Sequence, residues 1–312
     1  MVNDKPNLLY KYLHEERMDV LANGMIRYTQ PSAFNDPFEA LPYIKAVADS
    51  ESIEKQAKKL GKENEIFEQA LNNSLSSHPK FRALSQVHQD LLTSLARRQL
   101  HQILPNLIPQ MQSFFRDAMS LQGVPKKMMY KAIIGAMNDA IGIFCLTETF
   151  ENLLMWSHYS NSHKGFVLGF NADHTYFQQT EDKKGIAGYV KKVRYTTERP
   201  KITLIDLSKT NEQNLDNWVK NIIWVKSGVW EYESEWRMIN GLRDADFKKE
   251  QNGSAICLFH FPLESIERIY LGCKMERIKK GEILSIIKAK KELNHTIVYE
   301  AYIDEKLSLL SH

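Results

Sequence analysis

The chain has 312 residues, 43% hydrophobic and 25% charged, enough apolar material for a core without disulfides or a structural metal. Forty-one basic against 38 acidic residues leave a formal charge of +3, too balanced to point to a nucleic acid or an anionic membrane. Three dispersed cysteines, Cys145, Cys257 and Cys273, exclude a disulfide framework and offer no zinc spacing; each lies in an apolar run and reads as a small buried hydrophobe.

Residues 8–12 (Leu-Leu-Tyr-Lys-Tyr) predict a short strand. A helix over 14–22 follows, closed by Asn23-Gly24, and then a strand over 25–29. The start of the chain lacks the apolar region of a signal peptide, and no stretch reaches the roughly 18 apolar residues of a membrane span, so a cytoplasmic protein is expected. Residues 30–39 hold two prolines, an Asn-Asp pair and two phenylalanines, which predicts an ordered turn; Asn35 and Asp36 fix it, and Asp36 and Glu39 also suit a cation or a ribose.

Residues 50–140 change character. Leu91, Leu92 and Leu95, then Met111, Phe114, Phe115 and Met119, then Met129, Ile133 and Met137 recur at helical spacing, with breaks expected near Pro105, Pro109 and Gly123 to Pro125. This segment reads as a helical insertion or subdomain within a core of 1–49 and 141–312. From 141 the period shortens. Strands are expected over 141–147, 165–170, 188–195, 232–239, 255–261, 266–271 and 296–303, with helices inside 148–160, over 206–226 and over 277–291. Scattered strands among unequal helices predict an α+β fold with a mixed or antiparallel sheet core.

Three constellations carry chemistry-bearing side chains. In Tyr232-Glu-Ser-Glu-Trp-Arg237, strand alternation puts Glu233 and Glu235 on one face, where paired carboxylates suit acid/base or charge-stabilising work; the plainer alternative is a solvated charged face with Arg237 and Lys226 as neighbours. In Leu153-Leu-Met-Trp-Ser-His-Tyr-Ser160, Trp156 and Tyr159 fall on one helix face and Leu154 and His158 on another; a lone histidine is more often a structural residue than a catalyst. The third is the turn Phe34-Asn-Asp-Pro-Phe-Glu39. No phosphate-binding glycine motif, nucleophile elbow or metal spacing is present, and the scattered lysine pairs read as solvated faces.

The order Leu9-Tyr-Lys-Tyr12, Phe34-Asn-Asp-Pro-Phe-Glu39, Phe144-Cys-Leu-Thr147, Leu154-Met-Trp-Ser-His-Tyr159, His163 to Phe170 and Tyr232-Glu-Ser-Glu-Trp-Arg237 resembles the bacterial domain-of-unknown-function family 2971, over about residues 8 to 303. That resemblance implies accessory or phage-defence settings and leaves the activity open. More weakly, the pattern is similar to ADP-ribosyltransferase-like folds, which would imply a split sheet and NAD as co-substrate. Carried over, the NAD-holding first-strand position falls on Lys11, the Ser/Thr strand on Thr147, and the Glu-x-Glu on Glu233 and Glu235. Tyr10, Tyr12, Trp156, His158, Tyr159 and Arg237 would then line the cofactor. Lys11 stands where the transferases carry Arg or His, and lacks the planar fork of Arg. The acceptor would be a protein or nucleic acid, with no metal. The alternatives are a non-catalytic sensor, and a metal-dependent nucleic-acid enzyme built on Asp36, Glu39, Glu233 and Glu235.

Overall fold

The computed structural model describes residues 5–36, 39, 43–48, 51, 53–55, 58, 64–119, 126–178, 188–205, 210, 213, 217, 220–251, 254–303 and 310–311. The strands in chain order are β1 (Leu8–Leu13), β2 (Met25–Tyr28), β3 (Tyr43–Ala48), β4 (Ile141–Thr147), β5 (Phe166–Asn171), β6 (Val190–Lys192), β7 (Arg194–Thr196) and β8 (Lys201–Ile205). They continue as β9 (Val225–Ser227), β10 (Glu235–Gly241), β11 (Phe247–Gln251), β12 (Ser254–His260), β13 (Ile266–Leu271), β14 (Ile297–Glu300), β15 (Tyr302–Ile303) and β16 (Leu310–Ser311). The chain divides into two compact units, one of residues 1–42, 130–200 and 219–312, the other of residues 43–129 and 201–218.

The first unit is built on a seven-stranded sheet of order β14-β13-β5-β1-β4-β10-β6, antiparallel except for the parallel β13–β14 pair. A three-stranded sheet, β11-β12-β2, lies in the same unit. The fold is therefore α+β with a mixed sheet core. Alternation along the strands sorts the side chains. Leu9, Leu13, Leu146, Leu168, Phe170, Trp236 and Met238 enter one large apolar core, which the helix Arg277–Ala289 joins through Ile283 and Ile287. On the opposite face Tyr10, Tyr12, Val167 and Tyr270 pack with Met155 and Trp156 of the helix Leu153–Tyr159.

In the second unit β3 pairs parallel with β8, and the helices Asn64–Ser77, Pro79–Arg82 and Gln86–Met119 follow β3 in the chain. The helix expected to break near Pro105 and Pro109 does not: Gln86–Met119 runs through both. A proline removes one intrahelical hydrogen bond, a local cost that the rest of so long a helix outweighs. Leu91, Leu92 and Leu95 are 54%, 43% and 47% exposed, so that apolar run faces solvent instead of packing. The side chains of Met111, Phe114, Phe115, Met119, Met129 and Ile133, and the break at 123–125, lie outside the described residues.

Other boundaries moved for local reasons. Gly24, at φ 62°, caps the short helix Asp19–Asn23 as its sequence suggests. The strand expected over 188–195 is interrupted at Val193, whose side chain turns into the interior while β6 and β7 join different sheets. Of the helix expected over 206–226, most lies outside the described residues; Lys220–Ile222 is helical and Val225 opens β9. The strand expected from Tyr232 starts instead at Glu235. Residues Gly228–Glu233 form a 3-10 turn, and Ser234 follows at φ 43°.

Between helix Leu153–Tyr159 and β5 the chain takes a left-handed course: Asn161, Ser162 and His163 have φ of 47°, 54° and 69°. Three consecutive non-glycine residues in this region need outside support. They receive it from Asn161 Nδ2 donating to Glu15 at 2.7 Å and from Lys274 N–H donating to the His163 carbonyl at 3.0 Å. Gly165 allows β5 to begin here, because a Cβ at this position would lie 2.0 Å from the Leu13 carbonyl oxygen.

Gly165→Ala is expected to destabilise the protein by about 3 kcal/mol, since the obstacle is backbone and cannot rotate away. Gly281→Ala, on a helix with open space around the site, is expected to stabilise by about 0.5–1 kcal/mol. Urea denaturation of both variants measures the contrast; equal effects would contradict it.

Candidate functional site

The strands β1 and β4 share a single register pair, Tyr10 with Thr147. Thr147 is also the partner of Glu235 on β10, so Tyr10, Thr147 and Glu235 stand in one row across three strands. Beyond that row no further β1–β4 pair forms, and the Lys11 ammonium reaches across to the Cys145 carbonyl at 2.9 Å. A cavity of about 230 Å³ opens here, lined by all three residues of Tyr10 to Tyr12, by Asn35, Asp36 and Glu39 of the turn, by Thr147, Tyr159, Glu233 and Glu235, and by Lys226 and Trp230.

One wall of this cavity is a buried charge cluster. The Lys226 ammonium donates to Glu233 Oε2 at 2.7 Å and Glu235 Oε2 at 3.0 Å, with Glu39 Oε2 3.8 Å away. Arg237 donates to both oxygens of Glu235, at 2.7 and 2.9 Å, and pairs with Glu39 as well. Its remaining arm meets the Ile223 carbonyl, and its guanidinium lies 5.2 Å from the Phe34 ring. Glu233 Oε1 accepts a 2.7 Å hydrogen bond from the Tyr159 hydroxyl. These groups are almost sealed from water: Glu233, Glu235 and Arg237 are 3%, 4% and 1% exposed.

Burial of this depth governs the protonation states. It pushes the Glu235 carboxyl up, with Glu233 adding to the push and Lys226 and the Cys145 thiol opposing it. For Lys226, burial works against the charged form, but Glu235 and Glu233 outweigh it and hold the ammonium above its ordinary pKa of 10.5. Burial lowers Arg237 to about 9, still well above neutrality, so it stays charged. Burial also lowers Lys11, and raises Tyr10 to about 12. The Cys145 thiol is pushed up by burial and then by Glu235, which leaves it a poor nucleophile. It is half-buried and lines the cavity, whereas Cys257 is the plain buried hydrophobe that the sequence suggested for all three.

The expected residues separate into three groups. Lys11, Thr147, Glu233, Glu235, Tyr10, Tyr12, Tyr159, Asn35, Asp36 and Glu39 all line the cavity. Arg237 lies behind it as a clamp on Glu235 and Glu39. Trp156 and His158 do not line it. Trp156 is core: its indole N–H donates to the Phe150 carbonyl at 2.7 Å and its ring meets Tyr12 edge-on. His158 sits on the exposed face of its helix beside Leu154.

Glu233 and Glu235 do converge, but not by strand alternation. Glu233 ends the 3-10 turn, and left-handed Ser234 swings the chain so that both carboxylates meet Lys226. The solvated-face alternative is overturned by their burial. Trp236 points into the main core and donates to Glu148, while Tyr232 packs with the aromatic cluster of the other face. Thr147 has a structural task as well: its hydroxyl donates to the Glu233 carbonyl at 2.5 Å and accepts from the Thr149 amide at 3.2 Å.

Sequence reasoning counted Lys226 only as a neighbour on a charged face, and it missed Trp230. The usable signal was the run Ile222-Ile223-Trp224-Val225, which leads a lysine into the interior and makes a paired role necessary. Among the described residues no group of three or more His, Cys, Asp or Glu side chains is placed to hold a metal. The converging carboxylates already share an ammonium and a guanidinium. Among the same residues no helix is long and apolar enough to cross a membrane.

Lys226→Met is expected to cost about 3–5 kcal/mol, because it leaves two buried carboxylates without their shared cation. A second substitution, Glu233→Gln, should recover part of that loss. The raised folded-state pKa of Lys226 means that its contribution is complete below 10.5 and disappears as pH climbs through the higher folded value. Denaturation followed from about pH 10 to 12 should therefore show, above pH 10.5, a loss of stability in the native protein that the Lys226→Met variant lacks; parallel curves would contradict the pairing.

Comparison with curated proteins and with solved structures returns no match. A family model described as protein of unknown function (DUF2971) does match the chain. The matched segment contains Tyr159, Lys226, Glu233, Glu235 and Arg237, so most of the charge cluster falls within it. Over residues 155–238 this chain thus matches the family of proteins of unknown function designated DUF2971.

Proposed function

We propose that the cavity takes the nicotinamide-ribose end of NAD and breaks the bond between them, as an ADP-ribosyltransferase or NAD glycohydrolase. The observation that carries this reading is the convergence of Lys11, Thr147, Glu233 and Glu235 with Tyr10, Tyr12 and Tyr159 on one cavity. About 230 Å³ fits a nicotinamide riboside portion rather than a whole dinucleotide. The tyrosine rings supply flat apolar walls for the nicotinamide.

In this reading the bond from ribose C1 to the nicotinamide nitrogen breaks and its electron pair leaves with nicotinamide. Positive charge develops on the ribosyl carbon and ring oxygen, and the Glu235 carboxylate, held in place by Arg237, stabilises it. An acceptor hydroxyl, from water or a macromolecule, forms the new C–O bond and passes its proton to Glu233. The ion pairs that engage both carboxylates favour a second reading, ligand binding without turnover, and the same assay separates the two.

Purified protein incubated with NAD should release nicotinamide, followed by chromatography. Glu235→Gln should lower the rate by about 10²–10³-fold, the scale seen on loss of one transition-state electrostatic contact; it should also lower the melting temperature, because Arg237 and Lys226 lose their shared carboxylate, so the rates are compared at a temperature where both proteins remain folded. No nicotinamide release, combined with a melting curve that NAD raises, would replace catalysis by binding. No release and no shift would contradict both readings.

A further inference from the structure

A second cleft lies outside the Glu235 cavity. Its volume is about 440 Å³, and it is lined by Arg27 of β2, Arg243 of the turn after β10 and Lys248 of β11, together with Ser32 and Asn138. Asp139 is the one acidic residue among those lining it. Three cations against one carboxylate make the cleft locally basic in a chain whose overall charge is close to balanced.

These cations lack the partners that cations usually acquire. Among the described residues, none of the three pairs with a carboxylate; the Lys248 ammonium only reaches the Arg243 carbonyl, at 3.4 Å. Arg27 is the strongest case. It is half-buried, its Nε is sealed from water without a hydrogen-bond partner, and burial together with the nearby Arg17 charge works against its protonated form. A guanidinium in that condition is stabilised by an incoming anion. The neutral groups agree with this. The Asn138 side-chain oxygen is occupied by the Ser32 amide at 2.9 Å, which leaves its NH₂ and the Ser32 hydroxyl as further donors. Among the described residues no aromatic ring lines the cleft.

We propose that this cleft binds the phosphate group of a small phosphate-bearing anion, with Arg27 as the inner contact and Arg243 and Lys248 as the outer ones. Charge-assisted N–H donors in a fork geometry are what phosphate oxygens accept best. The site is independent of the reaction proposed at Glu235. Ala33 lines both the cleft and the Glu235 cavity.

Isothermal titration of the full chain with pyrophosphate, inorganic phosphate and AMP at low ionic strength tests the site. Binding of at least one probe is expected, weakened at least tenfold in the double variant Arg243→Ala/Lys248→Ala and lowered by added salt. Both residues are exposed, so the double variant should fold. Lys249→Ala, next to Lys248 but outside the cleft, should bind as the native chain does. AMP binding tighter than phosphate would assign the site to nucleotides, and equal binding to the bare phosphate group. No heat with any of the three probes, or full affinity in the double variant, would overturn the proposal. The readout is binding alone, so its failure is distinct from absence of nicotinamide release.

Discussion

Two glutamates and a lysine removed from water together set the terms for this structure. Each ion buried alone would cost several kcal/mol, and the deficit closes only if every oxygen and every ammonium hydrogen meets a partner at short range. Lys226 from β9 lies between Glu233 and Glu235, Arg237 grips Glu235 from the same strand two residues on, and Glu39 completes the shell from the turn after β2. The cluster therefore ties separate elements of one unit to a single geometry. Removing any one member leaves a charge stranded, which makes the arrangement demanding as a device for stability alone and well suited to holding a carboxylate in a fixed position.

That fixed carboxylate would be inert behind a continuous sheet. The sheet is not continuous at this point: β1 and β4 pair at Tyr10 and Thr147 and nowhere else. The row Tyr10, Thr147, Glu235 carries the charge cluster to the edge of the opening; Lys11 and Tyr12, which follow Tyr10 on β1, line the cavity, while Leu9 stays in the main core. Tyr12 joins the aromatic cluster with Trp156, and the turn that carries Asn35, Asp36 and Glu39 also lines the opening. Lys11 occupies the parting of the strands, its ammonium fastened to the Cys145 carbonyl. In this position it adds a second ammonium to the residues that line the cavity.

Much of the framework was legible because the strands obey simple periodicity. Ile141–Thr147 and Ile266–Leu271 begin and end where their apolar runs do, and Gly24 closes its helix with the backbone angle that glycine tolerates best. The candidate site was legible as a set of residues but not as a geometry. Glu233 and Glu235 meet because Ser234 adopts a left-handed conformation, which period-two reasoning has no means to foresee. Lys226 was hard to place because long-range pairing, not local pattern, decides whether a lysine can be buried. Trp156 and His158 show the opposite limit. The turn from Trp156 to Tyr159 presents four side chains with polar atoms; Trp156 packs against Tyr12 and donates to the Phe150 carbonyl, and Tyr159 is the one that lines the cavity.

In the proposed reaction a ribosyl group lies against Glu235 in the gap between β1 and β4. The most direct measurement is a crystal structure of the Glu235→Gln variant with NAD. The account predicts density for the nicotinamide-ribose end inside the gap, its ring against the tyrosine walls and its ribose facing position 235. Density confined to another surface, or a gap that excludes NAD at saturating concentration, would contradict it.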